Sequence, residues 1–336
     1  MKEFTIKPHE AGQKLDKYLA KVLSEAPKSF IYKMLRKKNI VLNDKKADGH
    51  EVLSSSDNIK IYFSDETFEK FANHSFSEQK NTKAKQTSSA KKITETDLLP
   101  EIIFEDEHIL LLNKPAGLLS QKAKPKDYSA NDFVLDYMLE SGQLTKEDMR
   151  TFKPSICNRL DRNTSGLLIA GKTITGLQKM ATALKSRDMK KYYLCLVKGR
   201  VNKPQHLKGY LLKDEKSNKV SVKKEAFDRA DYIETSYEPT AYYGDTTLLL
   251  VHLITGRSHQ IRAHLASIGH PILGDYKYGD KILNMHLRKE TGIASQLLHA
   301  YRLIMPEGQK YEAPLPAYFQ AAFQFAEQSQ EKIRKE

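Results

Sequence analysis

The chain has 336 residues, enough for two domains or for one large domain with an appendage, and a formal net charge of +13. Its two cysteines, Cys157 and Cys195, are too few and too far apart for a disulfide framework or a cysteine zinc site, and a reducing cytoplasm is expected. No window has the apolar length of a membrane span, the first residues lack the apolar core of a signal peptide, and the basic excess points to a polyanionic partner, nucleic acid before an acidic membrane.

From the amino terminus, Leu15, Leu19, Val22 and Leu23 fall at helical spacing, and after Pro27 the set Phe30, Ile31, Met34 and Leu35 repeats the pattern, with Ser29 as the expected N-cap. A strand over Ile40-Val41-Leu42 leads into the polar turn 43–46, and residues 58–63 alternate as a second strand. Lys28, Lys33, Arg36, Lys37 and Lys38 lie between residues 28 and 38 without one acid, so the second helix and the turn after it present a positive side. A run of this kind is commonly only a solvated face. Here the order Gly12-Gln13-Lys14-Leu15-Asp16-Lys17-Tyr18-Leu19, then Ser29 to Arg36, then Ile40 to Asn43, then Ser56-Asp57-Asn58-Ile59 resembles the S-four-like RNA-binding domain. Ser56 stands where that domain usually has glycine, and the resemblance implies that the basic helix meets RNA.

From Asn73 to Asp97 the apolar pattern fails and Ser, Thr, Gln, Asn and Lys fill the chain, so residues 67–97 are expected to be a flexible basic linker between a small unit, 1–66, and a large one, 98–328. In the large unit the apolar run Ile109 to Leu112 reads as a buried strand entering the turn Asn113-Lys114-Pro115-Ala116-Gly117. Residues 130–141 read as a helix, Leu167 to Ala170 as a strand, and Thr175 to Lys185 as a helix with Leu177, Met180, Ala181 and Leu184 on one face. Further strands are expected at Tyr193 to Val197 and Thr246 to Ile254. Strands outnumber helices and do not alternate regularly with them, which predicts a mixed α+β unit around a largely antiparallel sheet.

Two segments could carry chemistry. In Asn158-Arg159-Leu160-Asp161-Arg162-Asn163-Thr164-Ser165-Gly166 one carboxylate sits between two arginines, whose positive charge is expected to keep it ionised, as a nucleophile or charge partner and not a proton donor. The plainer alternative is a surface ion pair in a strand-end turn. The second segment, Thr255-Gly256-Arg257-Ser258-His259-Gln260-Ile261-Arg262-Ala263-His264, resumes at Gly269-His270-Pro271-Ile272-Leu273-Gly274-Asp275. Its histidines lack the spacing of zinc enzymes, so no metal is expected and His259 and His264 read as packing or hydrogen-bonding residues. Arg262 falls where a strand and glycine turn give way to a helix, placed to reach back toward a carboxylate.

The Arg-Leu-Asp-x-x-Thr-Ser-Gly-Leu segment, the Asn-Lys-Pro-Ala-Gly turn, Lys191-Tyr192-Tyr193-Leu194-Cys195-Leu196-Val197, Thr-Gly-Arg-Ser-His-Gln-Ile-Arg and Leu298-His299-Ala300 occur in an order that resembles the RluA-type pseudouridine synthases over the whole chain. The resemblance implies an isomerase that converts uridines in RNA to pseudouridine. It makes Asp161 the catalytic aspartate, Tyr193 the active-site tyrosine in preference to Tyr192, and Arg262 its ion-pair partner, with Arg159 in support. Asn158 departs from the histidine the family commonly has there.

Uridine becomes its C-glycoside by breaking the bond from N1 to C1′, turning the base and rejoining it through C5, so no cofactor is expected. Asp161 could attack C1′, add to C6 of the base or remove the 2′ proton; the sequence leaves the three open. The target nucleotide must leave its stack, at a cost of a few kcal/mol. The small domain paired with this catalytic unit resembles enzymes of large-subunit ribosomal RNA, so 23S rRNA is the expected partner, with tRNA as the variant reading, a monomer as the expected state and the cytoplasm as the location. A non-catalytic RNA-binding or ribosome-assembly factor is the competing class. A base hydrolase would need a second carboxylate, which the Asp161 segment lacks.

Overall fold

The computed structural model describes residues 1–72, 98–214 and 219–335. The linker expected over 67–97 therefore lies mostly outside the described residues, and its first positions belong to a helix.

The amino-terminal part runs β1 (Lys2–Thr5), α1 (Leu15–Val22), α2 (Lys28–Arg36), β2 (Ile40–Leu42), β3 (Lys45–Lys46), β4 (Asn58–Ile61) and α3 (Asp65–Phe71), with the strands in one sheet ordered β1-β4-β2-β3. Leu15, Tyr18, Leu19 and Val22 of α1 meet Ile31 and Leu35 of α2 in a core of their own. The second helix starts one residue after Pro27, not after Ser29. The ring fixes the Pro27 φ at −64° while its carbonyl accepts from Phe30 N–H at 2.9 Å, so the proline itself turns the chain into the helix and Ser29 is already inside it. Lys28, Lys33, Arg36, Lys37 and Lys38 are all exposed, and none is within 4 Å of a carboxylate among the described residues.

The rest of the chain forms β5 (Glu101–Glu105), β6 (Ile109–Lys114), α4 (Ala130–Glu140), β7 (Ser155–Ile156), β8 (Ser165–Gly171), α5 (Ile174–Ser186), β9 (Lys190–Lys198), β10 (Gln205–Asp214), β11 (Lys219–Lys223), β12 (Asp231–Tyr243), β13 (Thr246–Leu253), α6 (Gln260–Ser267), α7 (Lys281–Thr291), β14 (Leu298–Ile304), β15 (Lys310–Glu312) and α8 (Ala317–Lys335). Eleven strands make one sheet, in the order β11-β10-β12-β13-β9-β14-β8-β6-β5 with β15 on β14 and β7 on β8. Every pair is antiparallel except β14 with β8, as an α+β fold with a largely antiparallel sheet requires.

That parallel pair explains the glycine of the Thr-Ser-Gly turn. Gly166 has φ +104°, and a Cβ there would lie 2.2 Å from the carbonyl oxygen of Ala300 on β14, so only glycine lets β8 begin this close to its neighbour. Beside it Tyr318 and Ser165 hydroxyls are 2.9 Å apart, Ser165 Oγ is 2.9 Å from His299 Nδ1, and His299 Nε2 is 3.1 Å from the Ala313 carbonyl, which can only accept. His299 is thereby fixed as a neutral ring with its hydrogen on Nε2.

Helix α5 is capped by Thr173, whose hydroxyl accepts from Gly176 N–H at 3.0 Å. Its buried stripe holds Ile174, Gly176, Met180 and Ala183, while Ala181, expected inside, is exposed. A Cβ at Gly176 would lie 2.1 Å from the His108 carbonyl oxygen, so the helix presses its bare backbone there and rolls its inner face toward 176, 180 and 183.

The two parts touch directly. Lys7 pairs with Asp148, Glu10 accepts from the Thr151 hydroxyl, and Gln178 Nε2 of α5 donates to the Gly12 carbonyl at 3.2 Å.

Candidate active site

Asp161 sits on the irregular segment between β7 and β8, which is fastened along its length. Asn158 Oδ1 accepts from Ile169 N–H at 2.9 Å, which ties the segment to β8. Leu160 is buried, and Ser120 Oγ bonds both its N–H and its carbonyl, at 3.0 and 2.8 Å. The Asn113–Gly117 turn holds the other side. Gly117 N–H donates to the Arg162 carbonyl at 2.9 Å, and the fully buried Lys114 ammonium donates to the carbonyls of Pro115, Leu118 and Arg162 at 2.9, 2.8 and 3.0 Å. Three acceptors match the three hydrogens of an ammonium, although burial brings the Lys114 pKa down to about 7 against the opposing charge of Asp161.

The arginine that pairs with Asp161 is neither of its sequence neighbours. Arg162 is exposed and its Nε donates to the Gly117 carbonyl at 2.9 Å; Arg159 is exposed on the wall of the cleft. The expectation that the flanking arginines pair with the acid is therefore corrected: the chain turns at Asp161, where Thr164 N–H donates to the Asp161 carbonyl at 3.0 Å, and Arg162 is committed to the Gly117 carbonyl. The partner is Arg262, near the start of α6, whose Nη1 donates to Asp161 Oδ2 at 2.7 Å. Its Nε and Nη2 donate to the two oxygens of Asp275 at 2.7 and 2.9 Å in a bidentate pair, and the guanidinium lies 5.3 Å from the Tyr278 ring centre. Burial lowers the Arg262 pKa, but the hydrogen bonds and charge of Asp275, then those of Asp161, outweigh it and the net shift is upward. Asp275 is fully buried and also accepts from Lys277 and Tyr278 N–H.

Gln260 builds the turn from which Arg262 projects. Its Oε1 accepts from the Thr255 hydroxyl and from Arg257 N–H, and its Nε2 donates to the Glu234 carbonyl and Thr235 Oγ1. Tyr193, on β9, is buried and lines the same cavity as Asp161, His259 and Arg262, a cleft of about 920 Å³. Burial, and then the Asp161 charge, raise its pKa, so it is a neutral phenol. Tyr192 points to the other face of the sheet, stacked on His252 with ring centres 4.8 Å apart and planes 19° apart.

Asp161, Arg262, Tyr193 and Arg159 thus converge on one cleft, whereas Lys28, Lys33, Arg36, Lys37 and Lys38 lie in the amino-terminal part. Asp275, Lys114 and Tyr278 were not expected to have roles there, although Asp275 and Lys114 fall within segments singled out in the sequence. No cluster of three or more metal-ligating side chains occurs among the described residues, and no helix among them is long and apolar enough to cross a membrane.

His264 and His299 carry a pH dependence of stability. Each titrates near 6.5 when unfolded and is lowered to about 4 in the fold, chiefly by burial. Between those values the unfolded chain binds more protons, so the two histidines stabilise fully above pH 6.5 and the stability is lost as pH falls through 4, by about 3 kcal/mol each. Urea midpoints compared near pH 7 and near pH 4.5 should show this loss, and His299→Asn should flatten it.

Residues 108–267 match the family model described as RNA pseudouridylate synthase. The chain is 30% identical over 304 residues, spanning 90% of its own length and 85% of the relative's, to the ribosomal large subunit pseudouridine synthase C of Pasteurella multocida. To the protein of that name from Vibrio cholerae it is 28% identical over 324 residues, covering 93% and 92%. The solved structure of human RNA pseudouridylate synthase domain containing 4 shares the fold, with a TM-score of 0.55 and 21% identity over 67% of this chain and 92% of that one.

Proposed function

Since this chain belongs to the RNA pseudouridylate synthase family and is an isomerase acting on RNA, we propose that it converts uridines of 23S ribosomal RNA to pseudouridine with Asp161 as the reacting carboxylate. The observation that carries the reading is the pair between Asp161 Oδ2 and Arg262 Nη1, 2.7 Å long, in an open cleft beside a buried tyrosine. One carboxylate oxygen is committed to the guanidinium. The other is left to act on the sugar, and the arginine holds the carboxylate aimed.

Tyr193 offers a neutral aromatic face in the same cleft, on which a flipped uracil can stack. Arg159, Lys185, Arg187, Lys191 and Arg257 surround the cleft with positive charge suited to phosphodiesters. The exposed basic face of α2, in an S-four-like domain whose core extends through α3 to Ala72, supplies a second contact to RNA remote from the reacting nucleotide. Large-subunit rRNA as the substrate is supported by the names of relatives that match nearly the whole chain.

Pseudouridine mapping of total ribosomal and transfer RNA, by carbodiimide-directed primer-extension stops, in cells with and without the gene tests the reading. Stops at defined 23S positions should vanish with the gene. Stops lost only in tRNA would overturn the substrate, and an unchanged map would overturn the assignment to pseudouridine formation in the cell.

A further inference from the structure

His259 occupies an unusual position in the cleft. It is the residue before α6 and has φ +55°, a left-handed backbone that costs a non-glycine residue energy and is held by its surroundings. Its ring packs edge-on against Tyr278, with centres 5.7 Å apart at 69°. Its Nε2 faces Asp161 Oδ2 at 3.9 Å, too far for a hydrogen bond, and Arg262 already occupies that oxygen at 2.7 Å.

The tautomer follows from the hydrogen bonds behind the ring. Val220 N–H donates to Tyr278 Oη at 3.0 Å, and Tyr278 Oη lies 2.9 Å from His259 Nδ1. Among the described residues Nδ1 is the one acceptor within hydrogen-bond distance of Tyr278 Oη, and when that phenol donates to it His259 carries its own hydrogen on Nε2. Burial lowers the pKa of the ring, against the charge of Asp161 and with that of Arg262, so the imidazole is neutral at pH 7. The result is a pre-aimed N–H in the wall of the cleft with no acceptor among the described residues, beside the reacting carboxylate.

We propose that His259, fixed by Tyr278 as the neutral Nε2–H tautomer, donates that hydrogen bond to the uracil carbonyl that gains negative charge when the bond from N1 to C1′ opens. The inference rests on Asp161 acting at the sugar. The bonding pair of N1–C1′ passes to the uracil ring and spreads over N1 and the carbonyl oxygens, the Asp161 carboxylate meets the electron-poor C1′, and His259 transfers no proton. A neutral donor suits this task because it adds no further positive charge to compete with Arg262 for the Asp161 carboxylate.

The test is release of tritium from total RNA labelled with 5-³H-uridine and isolated from cells lacking the gene, with purified full-length protein. His259→Leu should lower kcat roughly 100-fold with little change in KM, the loss seen when one preorganised donor to a developing anion is removed. His259→Gln, whose amide N–H reaches the Nε2 position, should keep most of the turnover. Tyr278→Phe should lower kcat in the histidine background and have no further effect in the His259→Gln background, since glutamine has no tautomer to set. Equal losses for Leu and Gln would overturn the proposal in favour of a packing role, as would wild-type turnover in the Leu variant. Absence of release by the wild type would overturn the parent reading, and this one with it.

Discussion

Asp161→Asn is expected to bind RNA within a few-fold of wild type and to form no pseudouridine, a fall in turnover of roughly 10⁴-fold or more. The separation of the two effects follows from the geometry. Asparagine keeps the shape of the side chain and an oxygen to accept from Arg262 Nη1, while Arg262 retains both hydrogen bonds to Asp275, so the cleft should stand as built. What disappears is the negative charge and the nucleophilic oxygen. Filter binding with rRNA fragments measures the first property and tritium release the second. A variant that still made pseudouridine would remove Asp161 from the reaction, whichever of its three routes were in view.

The second large effect belongs to Arg262, and it should appear in stability as well as in rate. Arg262→Leu leaves the fully buried Asp275 without its bidentate partner and Asp161 without its 2.7 Å hydrogen bond, a loss on the order of 3–5 kcal/mol. Turnover should fall below detection in the same variant. Arg262→Lys restores a positive charge but not the fork that grips Asp275 with two nitrogens while a third reaches Asp161. The double variant Arg262→Leu with Asp275→Leu distinguishes the two roles, because it removes the stranded charge along with its partner: urea unfolding should recover part of the lost stability, and turnover should not return.

These expectations depend on partners the sequence only half disclosed. Asp161 and Arg262 stood out in segments dense in charged residues, whereas Tyr193 entered through the family resemblance; the alternation of β9 puts Tyr193, and not Tyr192, on the side of the cleft. The pairing joins residues 101 positions apart, so nearness along the chain pointed to Arg159 and Arg162 and only the family resemblance pointed to Arg262. Asp275 was visible as a residue and invisible as a role, since its function is to complete an arginine on another element. In the fold, the apolar strands β6, β8, β9 and β13 announced themselves. The strands β10 to β12 did not, because one face of that hairpin region is open to water and its sequence is rich in Lys, Tyr and Thr. Helix α5 was found, but its roll was missed, because the contact that sets it is between a glycine backbone and a carbonyl and leaves no side-chain pattern.

The contacts of Lys7, Glu10 and Gly12 with Asp148, Thr151 and Gln178 have a consequence for how a site in a large RNA is chosen. They make the distance from the basic helix α2 to Asp161 a property of the fold, set by packing and hydrogen bonds, and independent of the segment that joins the two parts in the chain. With α2 on RNA phosphates and Asp161 on the target, as proposed, the molecule would work as a calliper: a uridine would reach the carboxylate only when the RNA places a phosphate-rich surface at the matching offset, and selection would fall on the three-dimensional shape of the RNA around the target as well as on its neighbouring bases.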